Sequence, residues 1–147
     1  METESERLIC HLLQAMLEVA LLDKPYPGQK TLSSFFPDIE MVKDLSEIVV
    51  SSRNLGDSCH FDVPGYNITV LSDDEIAARA RSTKDFPYFM LTEARISPDN
   101  ATLSLQLSWA VGQADKLHLG GGGVRVKFER INGEWQAPSG PIATWIA

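Results

Sequence analysis

Few residues in this chain are equipped for chemistry, and two cysteine–histidine dipeptides, Cys10-His11 and Cys59-His60, stand out first. Four such side chains are enough for a tetrahedral zinc site. The spacing argues against one. Neighbours on a helix point about 100° apart, so Cys10 and His11 are poorly placed to share a metal. No Cys-x-x-Cys or His-x-x-x-His pattern supports them either. Two cysteines with no export signal ahead of them are expected to be small buried apolar residues rather than a disulfide. For nucleophilic catalysis there is no Gly-x-Ser-x-Gly, and Ser139 in "APSGP" reads as a turn residue between prolines. The run Gly120–Gly123 invites a phosphate cradle, but such a loop needs a strand before it, a helix after it and a Lys-Ser/Thr pair. Here the glycines lead into the alternating run "VRVKFERI". No metal and no cofactor are expected.

The elements that would position any site are more legible. Thr3 and Glu6 have capping-box spacing, and Leu8, Ile9, Leu12, Leu13, Met16, Val19 and Ala20 recur at helical period, predicting a helix from Thr3 to Leu22. Its apolar face is too broad for a surface helix. Pro25, Pro27 and Gly28 end it. A short helix is expected from about Asp38, then strands at "EIVVSS" and "YNITVLS". Ser72 and Glu75 repeat the capping-box spacing, with acids in the first turn and Arg79 and Arg81 near the end, predicting a helix from Asp73 to Ser82.

The remainder reads as sheet. "PYFMLTEARI" is a strand ended by Pro98-Asp99-Asn100. In "ATLSLQLSWA", Leu103, Leu105, Leu107 and Trp109 face inward, and Ser104, Gln106 and Ser108 face outward. Val124, Val126 and Phe128 alternate against Arg125, Lys127 and Glu129. Asn132-Gly133 is a strong hairpin signal, "EWQA" returns from it, and "IATWIA" reads as a terminal strand. With a turn near Gly112–Asp115, the four glycines fall opposite Leu105–Trp109. Glycine within a strand marks a bulge or bend. A kinked strand is expected there, ahead of a true loop or a ligand-cradling loop.

Composition bounds the partners. The chain has 147 residues, 44% hydrophobic and 22% charged, which suits residues 1–147 as a single domain with a proper core. A net charge of −7 repels phosphate backbones and anionic lipid, so neither nucleic acid nor membrane is an expected partner. The N-terminus carries Glu2, Glu4 and Glu6 before Arg7, unlike a secretory signal, and His11, Gln14 and Glu18 interrupt its apolar part. The cytoplasm is the expected location, where the triplets at Asn67 and Asn100 carry no glycan.

The order helix, short helix, strand, strand, helix, then strands with a glycine kink resembles the nuclear-transport-factor-2-like (cystatin-like) superfamily. "GGGVRVKFERINGEW" is also similar to the ending of many small uncharacterised bacterial proteins. The resemblance implies an α+β fold in which N-terminal helices pack on a strongly bent antiparallel sheet to make a cone. Cone-shaped enzymes hold an acid or a histidine in an apolar pocket. By that resemblance the candidates are Glu93, His118, Asp62 and His60, with Tyr66, Tyr88 and Trp109 as walls. The residues' own reading sets Glu93 in a cross-strand ion pair with Arg125 or Lys127. Three functions follow as expectations. First comes a module binding a small organic ligand at Tyr66, Tyr88, Glu93, Trp109 and His118. The second is a homodimeric interaction module anchored by Trp145. The third is an isomerase- or dehydratase-like enzyme using a buried carboxylate or histidine.

Overall fold

The computed structural model describes residues 3–29, 36, 39–56, 59–113 and 116–144. Helices α1 (Glu4–Leu22), α2 (Glu40–Lys43) and α3 (Asp73–Ser82) accompany strands β1 (Glu47–Ser51), β2 (Asn67–Leu71), β3 (Phe86–Ile96), β4 (Asn100–Gln113), β5 (Lys116–Ile131), β6 (Glu134–Gln136) and β7 (Pro141–Thr144). The fold is α+β, with one open sheet in the order β2-β1-β3-β4-β5-β6 and β7 also paired to β5. The short helix is a single turn, and its expected start at Asp38 lies outside the described residues. So do Ala114 and Asp115 of the expected turn, and Trp145.

Both long helices begin as their sequences dictate. Thr3 Oγ1 accepts the Glu6 N–H at 3.1 Å, and α1 ends at Asp23 in the left-handed region. Before α3 the capping box is complete: Ser72 Oγ accepts the Glu75 N–H, and Glu75 Oε1 accepts the Ser72 N–H. At the Asn132-Gly133 tip both residues have positive φ (52° and 81°), the geometry of a tight type I′ hairpin.

The expected all-antiparallel sheet is corrected to a mixed one. β1 runs parallel to both β2 and β3, while β3, β4, β5, β6 and β7 pair antiparallel. Parallel neighbours need a long crossover. The loop 52–66 supplies one between β1 and β2, and α3 supplies the other between β2 and β3. Residues 52–66 are too many for a tight hairpin between "EIVVS" and "NITVL", and that length was the cue.

A parallel beginning leaves both faces of β1 covered. Ile48 and Val50 join the main core with Leu12, Leu13, Met16 and Leu17 of α1, together with Phe89, Leu103, Leu105 and Val126. Val49, between them, belongs to a second core with Ile76 and Ala80 of α3, Tyr88 and Ala110. Burial also corrects the side-chain expectations for Trp109, Ser104 and Ser108. Trp109 is only half-buried and outside both cores, whereas Ser104 and Ser108, expected in solvent, are 6% and 2% exposed. Polar side chains and α3 overlie the face on which those serines sit.

The glycine kink is a bulge. Gln106 pairs with Gly123 and Ser108 with Gly120, so Gly121 and Gly122 together oppose the single residue Leu107. A second bulge lies in β3, where Leu91 pairs with Leu105 but Glu93 with Ser104. Gly122 and Gly123 are buried. Gly122→Val is expected to cost about 1–3 kcal/mol through overpacking, measured by urea unfolding. An unchanged midpoint would show that the bulge tolerates a side chain.

Cys10 and Cys59 form a disulfide, with Cα atoms 5.6 Å apart, which overturns the expectation of two free buried thiols. The physical reason is geometric. Phe61 and Val63 bury into the core and Gln14 brackets Asp62, accepting its N–H at 3.0 Å and donating to its carbonyl at 2.7 Å. That fixes the loop against α1 with Cys59 beside Cys10. The bridge spans a sequence separation of 49 residues. Replacing both cysteines by alanine should lower the unfolding free energy by about 2–4 kcal/mol. Equal denaturant midpoints for variant and parent would refute a stabilising bridge.

Candidate functional site

The strand pattern places one polar cluster where it is open to solvent. Across β3, β4 and β5 the register aligns Glu93 with Ser104 and Ser104 with Arg125, so three side chains stand in one row on the face away from α1. Ser104 Oγ donates to Glu93 Oε1 at 2.9 Å, Arg125 Nε donates to the same oxygen at 3.1 Å, and Arg95 Nε lies 2.9 Å from Glu93 Oε2. Arg125 Nε also reaches Ser104 Oγ at 3.3 Å. Gln106 extends the cluster and donates to Ser108 Oγ at 2.8 Å. Glu93, Arg95, Ser104, Gln106 and Arg125, with Thr92 and Ala94, line an open depression of about 540 Å³.

The electrostatics are those of a held carboxylate. Glu93 stays below the usual glutamate range, first because Ser104 donates to it, against the opposing effect of desolvation, and then because Arg125 and Arg95 stand beside it. A general acid near neutral pH needs the reverse shift. The enzyme expectation built on a carboxyl raised by burial therefore gains no support at Glu93. What the cluster can do is recognise. Two guanidiniums are oriented by one carboxylate, each through its Nε.

Tyr66, Trp109 and Asp62 do not gather here, and the side chain of His118 lies outside the described ones. Tyr66 is half-buried on the α1 side, its hydroxyl donating to the Lys43 carbonyl at 2.9 Å. Tyr88 is 2% exposed beneath α3, and its hydroxyl is pushed up by burial and by the Asp73 charge. Trp109 pairs with Pro87 and Leu119, and His118 sits at the register position opposite Ala110. Asp62 is exposed and far from the cluster in the fold, on the loop whose backbone N–H and carbonyl at that residue are bound by Gln14 of α1. Tyr66 and Tyr88 thus belong to different cores on opposite faces. Tyr88 connects to the cluster through its hydrogen bond to Ser108.

Arg95 and Gln106 were missed by sequence reasoning, although a signal was present. In β3 the core-facing residues are Phe89, Leu91, Ala94 and Ile96, so their spacing skips once from two to three. That skip marks a bulge. It also predicts that Glu93 and Arg95, rather than Thr92 and Ala94, share the face of Tyr88 and Met90.

A second depression, of about 570 Å³, lies between the start of α1 and the β5–β6 hairpin, lined by Leu8, Ile96, Pro98, Arg130 and Trp135 among others. Among the described residues no cluster of three His, Cys, Asp or Glu side chains is placed to hold a metal, and the two cysteine sulfurs are bonded to each other. No helix among the described residues is long and apolar enough to cross a membrane. Comparison with protein-family models, with curated proteins and with solved structures gives no match.

The Glu93 carboxyl is depressed in the folded chain relative to its ordinary value, so its contribution to stability is full above that value and is lost as pH falls through the folded one. The Ser104 hydroxyl is the largest cause. Ser104→Ala should therefore raise the Glu93 pKa and flatten the acid-side loss of stability, as followed by carbon NMR of the Glu93 carboxyl. An unmoved titration would show that the guanidiniums alone hold it.

Proposed function

We propose that this chain is a non-catalytic module that binds a small organic ligand, and that its site is the depression around Glu93, Arg95, Gln106 and Arg125. The observation that carries this reading is the pair of guanidiniums held by one carboxylate within an open hollow of about 540 Å³. Volumes of this order suit small-molecule sites. The alternative place, between α1 and the sheet, is occupied by core side chains such as Met16, Phe89 and Leu105.

The nuclear-transport-factor-2-like resemblance stays part of the proposal, with α1 laid along the concave side of a bent sheet. The element order and the glycine bulge support it, while the parallel pairing of β1 departs from it. Location is read from the disulfide. Such bridges persist in oxidising compartments, so Cys10–Cys59 favours one of these over the cytoplasm.

A second reading, a homodimer formed through this same face, is favoured by Ile142. It is 65% exposed and stands opposite Arg125 in the β5–β7 register. Amide NMR during titration with a library of small organic molecules separates the two. Shifts confined to Glu93, Arg95, Ser104, Gln106 and Arg125, at the mass of one chain, are expected. A mass of two chains at all concentrations, with the same amides protected and no ligand shifts, would overturn the ligand reading in favour of the dimer.

A further inference from the structure

We infer that the ligand of this depression is an organic oxyanion, a carboxylate or phosphate carried on an apolar body. The inference deepens the proposed binding function and rests on it. A guanidinium has five N–H donors in a planar fork. Glu93 meets Arg95 and Arg125 at Nε, 2.9 and 3.1 Å away, the side of the guanidinium nearest the stem. The terminal donors of a guanidinium match the paired oxygens of a carboxylate or phosphate.

The local charge agrees. Two guanidiniums face one carboxylate, leaving a positive balance in a chain whose net charge is −7. The next row of the sheet adds to it, because Thr102 pairs with both Arg95 and Lys127. Glu129, one row further along opposite Asn100, bounds the basic area. A surface pair formed only for stability gains little. Here Ser104 and Arg125 both donate to a carboxylate whose own side chain is 20% exposed, and Arg95, itself largely exposed, is drawn to the same group as an ion pair. Part of the ordering of Arg125 is thus done before anything binds.

The apolar requirement comes from β7. Ile142 stands directly opposite Arg125 and is the most exposed large hydrophobic residue among those described, at 65%. An oxyanion held at Arg125 thus has an exposed aliphatic side chain beside it.

The test uses the whole chain and four probes sharing a six-carbon body: hexanoate, hexyl phosphate, hexanol and hexylamine. Arginine Nε–Hε and backbone amide signals are followed by NMR. Saturable shifts at Arg95 and Arg125 with one or both anions, and none with hexanol or hexylamine, are expected. Comparing hexanoate with hexyl phosphate tells which oxyanion is preferred. Arg125→Gln should weaken the binding roughly ten- to a hundredfold, in line with loss of a hydrogen-bonded charge. Arg95→Gln gives a second reading if the first variant unfolds. Hexanol shifting the same residues as strongly as the anions would overturn the oxyanion class while leaving the binding site standing. Silence from all four probes at these residues in folded protein would overturn both.

Discussion

A β-strand turns successive side chains to opposite faces, so one inserted residue inverts everything beyond it. The whole sheet here depends on that constraint being broken in controlled places. In β3 the bulge near Thr92 moves the core positions from Phe89 and Leu91 to Ala94 and Ile96. In β5 the two glycines opposite Leu107 allow Leu119 to pair with Trp109, while Val124 and Val126 pair with Leu105 and Leu103. Without these insertions either the core rows or the ladder hydrogen bonds would have to fail. Glycine lowers the steric cost of the second one.

The same insertion builds the candidate site. Had β3 continued without a bulge, Thr92 would have stood opposite Ser104 and Ala94 opposite Thr102, and Glu93 would have faced the core opposite Leu103. A glutamate there would be buried against Leu91 and Leu103 without partners, which is costly. The extra residue sends it to the outer face, where a serine and two arginines hold its charge. Packing and site geometry thus follow from one backbone irregularity. Thr92 itself is exposed and spends its hydroxyl on the Ser104 carbonyl at 3.3 Å, tying the irregular point to β4.

Helices, caps, the hairpin tip and the glycine bulge were legible because each rests on local chemistry. A capping box, an Asn-Gly pair and four adjacent glycines act through their own backbone. What escaped was non-local. Parallel pairing of β1 depends on where two crossovers return, and the burial of Ser108 on α3 crossing the outer face. Trp109 followed the alternation of Leu103 to Leu107 on paper but ends half-buried, because pattern gives a face and not the extent of the layer covering it. For the site, Glu93 with Arg125 was readable as a cross-strand pair. Arg95 was not, since the bulge that brings it alongside appears only when the spacing of Phe89, Leu91, Ala94 and Ile96 is taken together.

The disulfide belongs to the same problem of connection. Joining β1 to a parallel neighbour obliges the chain to travel back along the sheet, and the described residues of 52–66 do so without a helix or strand of their own. Segments of that kind are uncommon in compact domains unless something fixes them. Three independent contacts do so here: Phe61 and Val63 in the core, the two-way Gln14–Asp62 bond, and Cys10–Cys59. Asn54 adds a fourth by donating to the Leu91 carbonyl at 2.6 Å, beside the β3 bulge. The loop is therefore joined at one end to the point where β3 changes face and at the other to α1. Loosening the disulfide end acts on the Glu93 face only through Asn54 and β1, which makes the bridge a support for the fold rather than a part of the site.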